Sequence, residues 1–344
     1  MKRHSPAVTP MLVLLAMAAV ILDSGGAARS VREALSLCLE TVIPGLFPLF
    51  VLGAMAVPLL AELPFPPGLH RLLGIPRGCE GLFLLGAVGG FPLGAQCIAQ
   101  AVRSGGLSPK TGERMLGFCS NCGISFLFGI LPALFVSIRA PILCFLVQLE
   151  SAFLIAVLWP GGDRGKSPFR STACSLAQSV PKAIGSMALV CGWILLAAVL
   201  RGFLERWLFP FLPPTVCLLT SGFLELTGGC LGLSALPSQE LRFLLCCGFV
   251  CFGGVTVLLQ IRAVGAAADL SIGVCVAQKL TQALVGMLLA LGILRFGAVF
   301  LLLPVFFLLA VKKHWLFPAP WGIIKERRRE GAQNVISQKN AESL

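Results

Sequence analysis

Between Gly89 and Gly129 the sequence runs GGFPLGAQCIAQAVRSGGLSPKTGERMLGFCSNCGISFLFG, a series of helix-breaking and polar residues inside an otherwise apolar chain. A helix in lipid must satisfy its backbone polar groups internally. Breaks at membrane depth therefore persist only where protein covers them or where they line a wet cavity. Two breaks, Gly90-Phe91-Pro92-Leu93-Gly94 and Ser120-Asn121-Cys122-Gly123, flank a polar hairpin from Arg103 to Arg114. The pattern predicts a solute site built from discontinuous helices near the middle of a transporter-like membrane protein.

The bilayer itself follows from charge. Only 12% of the 344 residues are charged and 57% are hydrophobic, against about 25% charged in soluble domains. At ~20 apolar residues per crossing, the length holds roughly eight to ten segments, fewer residues being needed where a segment is re-entrant. The expected class is an all-α polytopic membrane protein of two repeat halves with broken or re-entrant helices. The net charge of +12 does not point to nucleic acid, because no basic stripe is interleaved with aromatics. Instead Lys2 and Arg3, then Arg164, Lys166 and Arg170, then Lys312, Lys313, Lys325, Arg327, Arg328 and Arg329 flank apolar runs. By the positive-inside rule this places both termini and the loop near residue 165 in the cytosol.

Read in order, residues 1–28 form a basic start and an anchor helix, with cleavage near Ala27-Ala28 left open. Residues 29–160 form a first repeat. It opens on an amphipathic helix over 29–43, broken by Pro44-Gly45-Leu46-Phe47-Pro48. Ser108 is a candidate N-cap with Pro109 at the first helical position. A spanning segment over 140–159 carries Gln148 and Glu150. Residues 161–171 are a cytoplasmic basic linker. Residues 172–296 form a second repeat, 297–311 a last membrane segment, and 312–344 a basic polar tail. The halves align weakly. Pro181 matches Pro44, Glu225-Leu226-Thr227-Gly228 matches the Gly90–Gly94 break, and Gly248–Gly254 matches Gly117–Gly123, at offsets of roughly 130 to 140 residues.

These breaks supply the site candidates. Ser120, Asn121 and Gly123 expose amides, carbonyls and an Asn that both donates and accepts. Capping of the broken helix alone is the competing reading. Gly254, Thr256 and Gln260 follow the break at Gly253, with Thr256 and Gln260 on one helical face; ordinary helix–helix hydrogen bonding is as good an account of them. Thr227 stands beside Glu225, an intramembrane carboxylate suited to proton or ion coupling or to an ion pair with Arg242 or Arg262. Glu150 and Lys279 raise the same question. Gly90, Phe91, Pro92 and Gly94 shape the first break, and Gln96 is placed to hydrogen-bond a ligand.

No catalytic site, cofactor or metal is expected. The three His lie far apart. The 14 Cys are scattered through apolar runs as small hydrophobes, and the lone Cys119-Ser120-Asn121-Cys122 pair lacks zinc partners. A thiol enzyme would need an accessible, activated thiolate there.

At GGFPLGAQ (89–96), LSPKTGERMLGFCSNCG (107–123), LELTGG (224–229) and CFGGVTVLLQ (251–260), the chain resembles the YlbJ-type sporulation integral membrane proteins. These belong to the nucleoside-recognition (Gate-domain) superfamily, related to concentrative nucleoside transporters. The likeness extends over about 31–311. Ser120-Asn121 stands where the family has an Asn pair, and the Pro after Gly123 is absent. Cys251 and Thr256 replace two Ser. The resemblance implies a carrier of dipicolinic acid, a small planar dianion, from the mother cell across the outer forespore membrane, with other sporulation proteins as further partners. Alternatives are an ion-coupled transporter of a nucleoside or another small solute, and a non-transporting scaffold.

Overall fold

The computed structural model describes residues 8–63, 65–66, 68–135, 137–159 and 175–304. Every regular element among them is helical. The basic linker 161–171, the tail from residue 312 and residues 305–311 of the segment 297–311 lie outside the described residues.

The chain begins with α1 (Val8–Leu22) and α2 (Ser24–Leu37), the latter N-capped by Asp23, whose side chain accepts from the Gly26 amide. A π-helical turn, Cys38–Val42, then leads directly into α3 (Ile43–Glu62). The expected break at Pro44–Pro48 does not occur. A proline ring inside a helix clashes with the carbonyl one turn back and removes one hydrogen bond. Here the wide turn ends as the Ile43 amide donates to Cys38 O, five residues back, and Pro44 sits in the first turn of the next segment. The extra residue gives the ring room without interrupting the rod.

After the short α4 (Leu69–Leu73) come α5 (Glu80–Gly89), α6 (Leu93–Arg103), α7 (Pro109–Phe118), α8 (Ile124–Gly129) and α9 (Arg139–Leu158). The second half holds α10 (Leu176–Phe203), α11 (Pro214–Leu224), α12 (Leu226–Gly232), α13 (Gln239–Phe252), α14 (Val255–Ala266) and α15 (Gly273–Phe296). The element order repeats. Glu80 corresponds to Pro214, Leu93 to Leu226, Pro109 to Gln239, Ile124 to Val255 and Arg139 to Gly273, at intervals of 130 to 134 residues.

Five stretches are long and apolar enough to cross a bilayer: Ser24–Met55, Arg139–Leu158, Leu176–Phe211, Gln239–Ala266 and Gly273–Phe296. The fourth is interrupted at Gly253-Gly254, where both glycines take positive φ, so it counts as one span only by length. Glu80–Gly89 and Pro214–Leu224 are shorter apolar helices. At 1.5 Å per residue, a helix of 10 residues covers ~15 Å, half the ~30 Å hydrocarbon core. Such helices cannot cross alone. Their broken ends must meet other broken ends inside the protein. This is an all-α polytopic membrane fold with interrupted helices in both halves.

Two cations organise the framework away from those breaks. Arg114 is buried in α7 and donates to the carbonyls of Leu73, Gly74, Ala156 and Trp159, closing the C-terminal ends of α4 and α9 together. The last carbonyls of a helix lack intrahelical partners and carry partial negative charge, so a guanidinium satisfies both needs. Arg206, next to α10, pairs with Asp23 and ties the start of α2 to the second half.

Candidate functional site

The first-half breaks pack backbone against backbone. A Cβ added at Gly86 or Gly94 would overlap the Cys119 carbonyl oxygen, and one at Gly90 would fall 2.7 Å from the Gly123 Cα and amide nitrogen. Gly90 adopts φ +80°, open to glycine at no steric cost. Phe91-Pro92, joined by a cis peptide bond, forms the turn into α6.

The amides freed by the second of these breaks find side-chain partners. Gln148 of α9 forms a matched pair with Cys122, its Oε1 accepting from Cys122 N at 2.9 Å and its Nε2 donating to Cys122 O at 2.9 Å. Asn121 Nδ2 donates to Phe118 O at 2.8 Å, so the asparagine does cap its own broken helix. Its Oδ1 faces the other way and accepts from Lys279 Nζ at 3.3 Å and from Gln282 Nε2 at 3.0 Å. Asn121, Lys279, Gln148 and Gln282 are all fully buried. Ser120 Oγ and both amide atoms of Gln278 are buried without a hydrogen-bond partner.

The second-half breaks are held differently. Glu225 caps α12, its carboxylate oxygens accepting from the amides of Thr227 at 2.8 Å and Gly228 at 2.6 Å. Thr256 Oγ1 donates to Leu224 O at 2.8 Å, binding the start of α14 to the end of α11. Gly254 has φ +91° and lies so close to Leu224 and Glu225 that a Cβ would meet them at 3.2 to 3.3 Å. Beside Glu225 stands Arg201 of α10. Its guanidinium lies directly on Gly228, where a side chain would overlap Nη1. Arg201 Nε sits 3.4 Å from Glu205 Oε1 but makes no aligned hydrogen bond.

Two cavities open at this junction. The smaller, about 80 Å³, is lined by Phe91 and Gly123 from the first half and by Glu225, Thr227, Thr256 and Gln260 from the second. The larger, about 250 Å³, is lined by Glu33 of α2, Arg201, Glu225, Thr227 and Gly228 among others. They share Ile194, Glu225 and Thr227 as walls. Gln260 is buried, yet its amide makes no hydrogen bond among the described residues, and it borders the smaller cavity.

Of the residues singled out from sequence, Phe91, Gly123, Glu225, Thr227, Thr256 and Gln260 thus converge on one cavity. Gly253 supports it from behind, where a Cβ would fall 2.8 Å from the Phe91 ring. Asn121 lies in the buried cluster with Lys279 rather than on the cavity wall, and Ser120 is buried next to it in sequence, also off that wall. Pro92 and Gly94 are architectural. Gln96 is elsewhere, its Nε2 donating to Ser186 Oγ of α10 at 2.8 Å and lining a separate cavity of about 60 Å³. Glu225 does not pair with Arg242, which caps the carbonyls of Leu236 and Leu134. Glu150 is buried on α9 with Oε1 unpartnered. The described cysteines are free, and Cys119 and Cys122 are sealed from solvent.

Sequence reading noted Gln148 without assigning it to the site and gave no site role to Arg201, Glu33 or Gln282. The signal for the two glutamines was present: buried amides in spanning helices are rare without a partner. Arg201 looked like an ordinary cation near a helix C-terminus. Compared with family models, with curated proteins and with solved structures, the chain matches none.

Proposed function

We propose that this chain is a membrane transporter for a small anionic solute, and that the solute is dipicolinate. The observation that carries the reading is the pair of cavities at the meeting of the interrupted helices, which share Glu225 and Thr227 as walls and place the Arg201 side chain on one and the Gln260 amide on the other. An unpaired buried donor costs about 1–3 kcal/mol. Arg201 Nε is one such donor, and a guanidinium and an amide on adjoining cavities suit a ligand rich in acceptors. A planar dicarboxylate offers one carboxylate to the guanidinium, which suits its fork geometry, and the other to the amide. Glu225 then has a second role. Its carboxylate already holds the Thr227 and Gly228 amides, a pair of donors that an incoming carboxylate would also seek. Displacement of Glu225 by the solute would couple binding to movement of α12. The sporulation setting, the outer forespore membrane and cytosolic termini belong to the same proposal and rest on the family resemblance.

The test is the unfolding temperature of the detergent-purified chain with dipicolinate and, separately, with uridine. A ligand that binds only the folded state stabilises it by ~2.7 kcal/mol at a hundredfold excess over Kd. The expected result is a rise with dipicolinate that disappears in Arg201→Gln and in Gln260→Leu. A rise with uridine alone would replace the anion by a nucleoside. No rise with either, together with normal spore dipicolinate in cells carrying both substitutions, would leave a non-transporting scaffold.

A further inference from the structure

Lys279 is one of the largest completely buried side chains in the molecule, and among the described residues it makes no ion pair. Three oxygens surround its Nζ: Gln282 Oε1 at 2.8 Å, Asn121 Oδ1 at 3.3 Å and Cys251 O at 3.5 Å. The Phe91 ring lies 5.2 Å away on a further side. An ammonium has three donors and no acceptor, so three converging oxygens match it, whereas a neutral amine would point its lone pair at one of them. The Cys251 carbonyl belongs to the last turn of α13, where carbonyls lack helical partners and carry partial negative charge. The ring face adds a cation–π contact. The titratable groups whose charge would act on Nζ are the thiols of Cys275, Cys251, Cys122 and Cys119, with no carboxylate among them. The charge is thus answered by dipoles, as a bare metal ion is answered in an all-oxygen cage.

The position of this cage matters as much as its chemistry. Phe91 comes from the first break, Asn121 from the second, and Cys251 from the helix end just before the Gly253-Gly254 break. One cation therefore holds three interruptions from two halves together. Hard monovalent cations favour such sets of carbonyl and amide oxygens, and discontinuous transporter helices supply them for coupling ions.

We propose that Lys279 is a built-in cation: its ammonium occupies an oxygen cage that would otherwise take a monovalent metal ion, and so the closed junction needs neither sodium nor potassium. The inference is independent of which solute is carried, since no solute-facing residue is required for it.

The experiment is thermal unfolding of the purified full chain in sodium, potassium and choline chlorides at equal ionic strength. The wild type is expected to melt at one temperature in all three. Lys279→Ala empties the cage. It should melt lower than the wild type in choline chloride and regain a large part of the loss in sodium chloride or in methylammonium chloride. Lys279→Met fills the space without donors, so it should melt below the wild type and gain nothing from sodium. A wild type that melts higher in sodium than in choline overturns the proposal. So does a Lys279→Ala protein that neither sodium nor methylammonium restores, or a Lys279→Met protein as stable as the wild type, since Lys279 would then be mere filler. If neither variant can be purified folded, the wild-type salt series decides alone, equality supporting the proposal and a sodium-specific rise refuting it.

Discussion

The two halves interrupt their helices at corresponding places and satisfy the freed backbone groups with different side chains. In the first half the break at Cys119–Gly123 is closed by neutral groups: glycines bring backbone onto backbone, and the amides of Gln148 and Asn121 pair with Cys122 N, Cys122 O and Phe118 O. In the second half the break at Glu225 is closed by a charged side chain at the edge of a cavity, with a guanidinium beside it. Gln148 and Cys122 pair donor to acceptor in both directions, so this neutral contact offers an anion nothing to exchange with. A carboxylate cap beside a cavity is the kind of contact that, on the transport proposal, an incoming anion would displace. On the transport proposal, this difference would separate a half that fixes the architecture from a half that moves with the solute.

The most severe way to break this contrast is to thicken the sealed crossing. In Gly86→Val or Gly94→Val, the new side chain would overlap the Cys119 carbonyl, which is backbone and cannot swing aside. No folded protein is expected, read as loss of the monodisperse peak in detergent. Gly192→Ala in α10 is the control. Nothing lies within 4 Å of a Cβ at Gly192, and replacing a helix-interior glycine stabilises by roughly 0.5–1 kcal/mol.

Next in size is the amide pair. Gln148→Leu keeps the volume but orphans both Cys122 N–H and Cys122 C=O. At about 1–3 kcal/mol for each buried unsatisfied group, the loss should be ~2–6 kcal/mol, measured by denaturant titration. A loss under ~1 kcal/mol would mean that water reaches Cys122 and that the first half is not sealed.

Much of the first half was legible because its signals are local. Gly90, Pro92 and Gly123 break helices by their own covalent chemistry, and Ser108 does accept from the Thr111 amide, as its place before Pro109 suggested. The Pro44–Pro48 stretch misled because a π-helical turn absorbs the proline, and nothing local announces such a turn. Asn121 was found, but its role was hidden. Its partners Lys279 and Gln282 are 158 and 161 residues away in sequence, and only the packing of α15 against α7 and α13 brings them in. Gln96 belongs to the face of α6 that turns toward α10, which no spacing argument decides from one helix alone. Arg201 needed the fold before it could be seen beside Glu225.

A smaller effect sharpens the comparison on the second-half side. Glu225→Ala removes the cap of α12, and loss of an N-cap costs about 0.5–2 kcal/mol. Thr256→Val removes a single hydrogen bond, to Leu224 O, worth about 0.5–1.5 kcal/mol. Both variants should fold, and hydrogen exchange should rise within α12 for Glu225→Ala while α7 and α8 stay protected. Exchange that rises equally in both halves would show that the breaks act as one cooperative unit, and the division between a fixed and a movable half would fail.

The smallest effect on stability carries the sharpest functional consequence. Gln260 makes no side-chain hydrogen bond among the described residues that Gln260→Leu could remove, and its amide borders the smaller cavity. Its melting temperature without ligand should equal or slightly exceed that of the wild type. Its response to dipicolinate should vanish. A residue that supports the fold loses stability when changed, whereas a residue kept for a ligand loses only the ligand's contribution. If Gln260→Leu instead melts well below the wild type while still responding to dipicolinate, the amide serves the framework, and the cavity wall it belongs to is as fixed as the sealed break across from it.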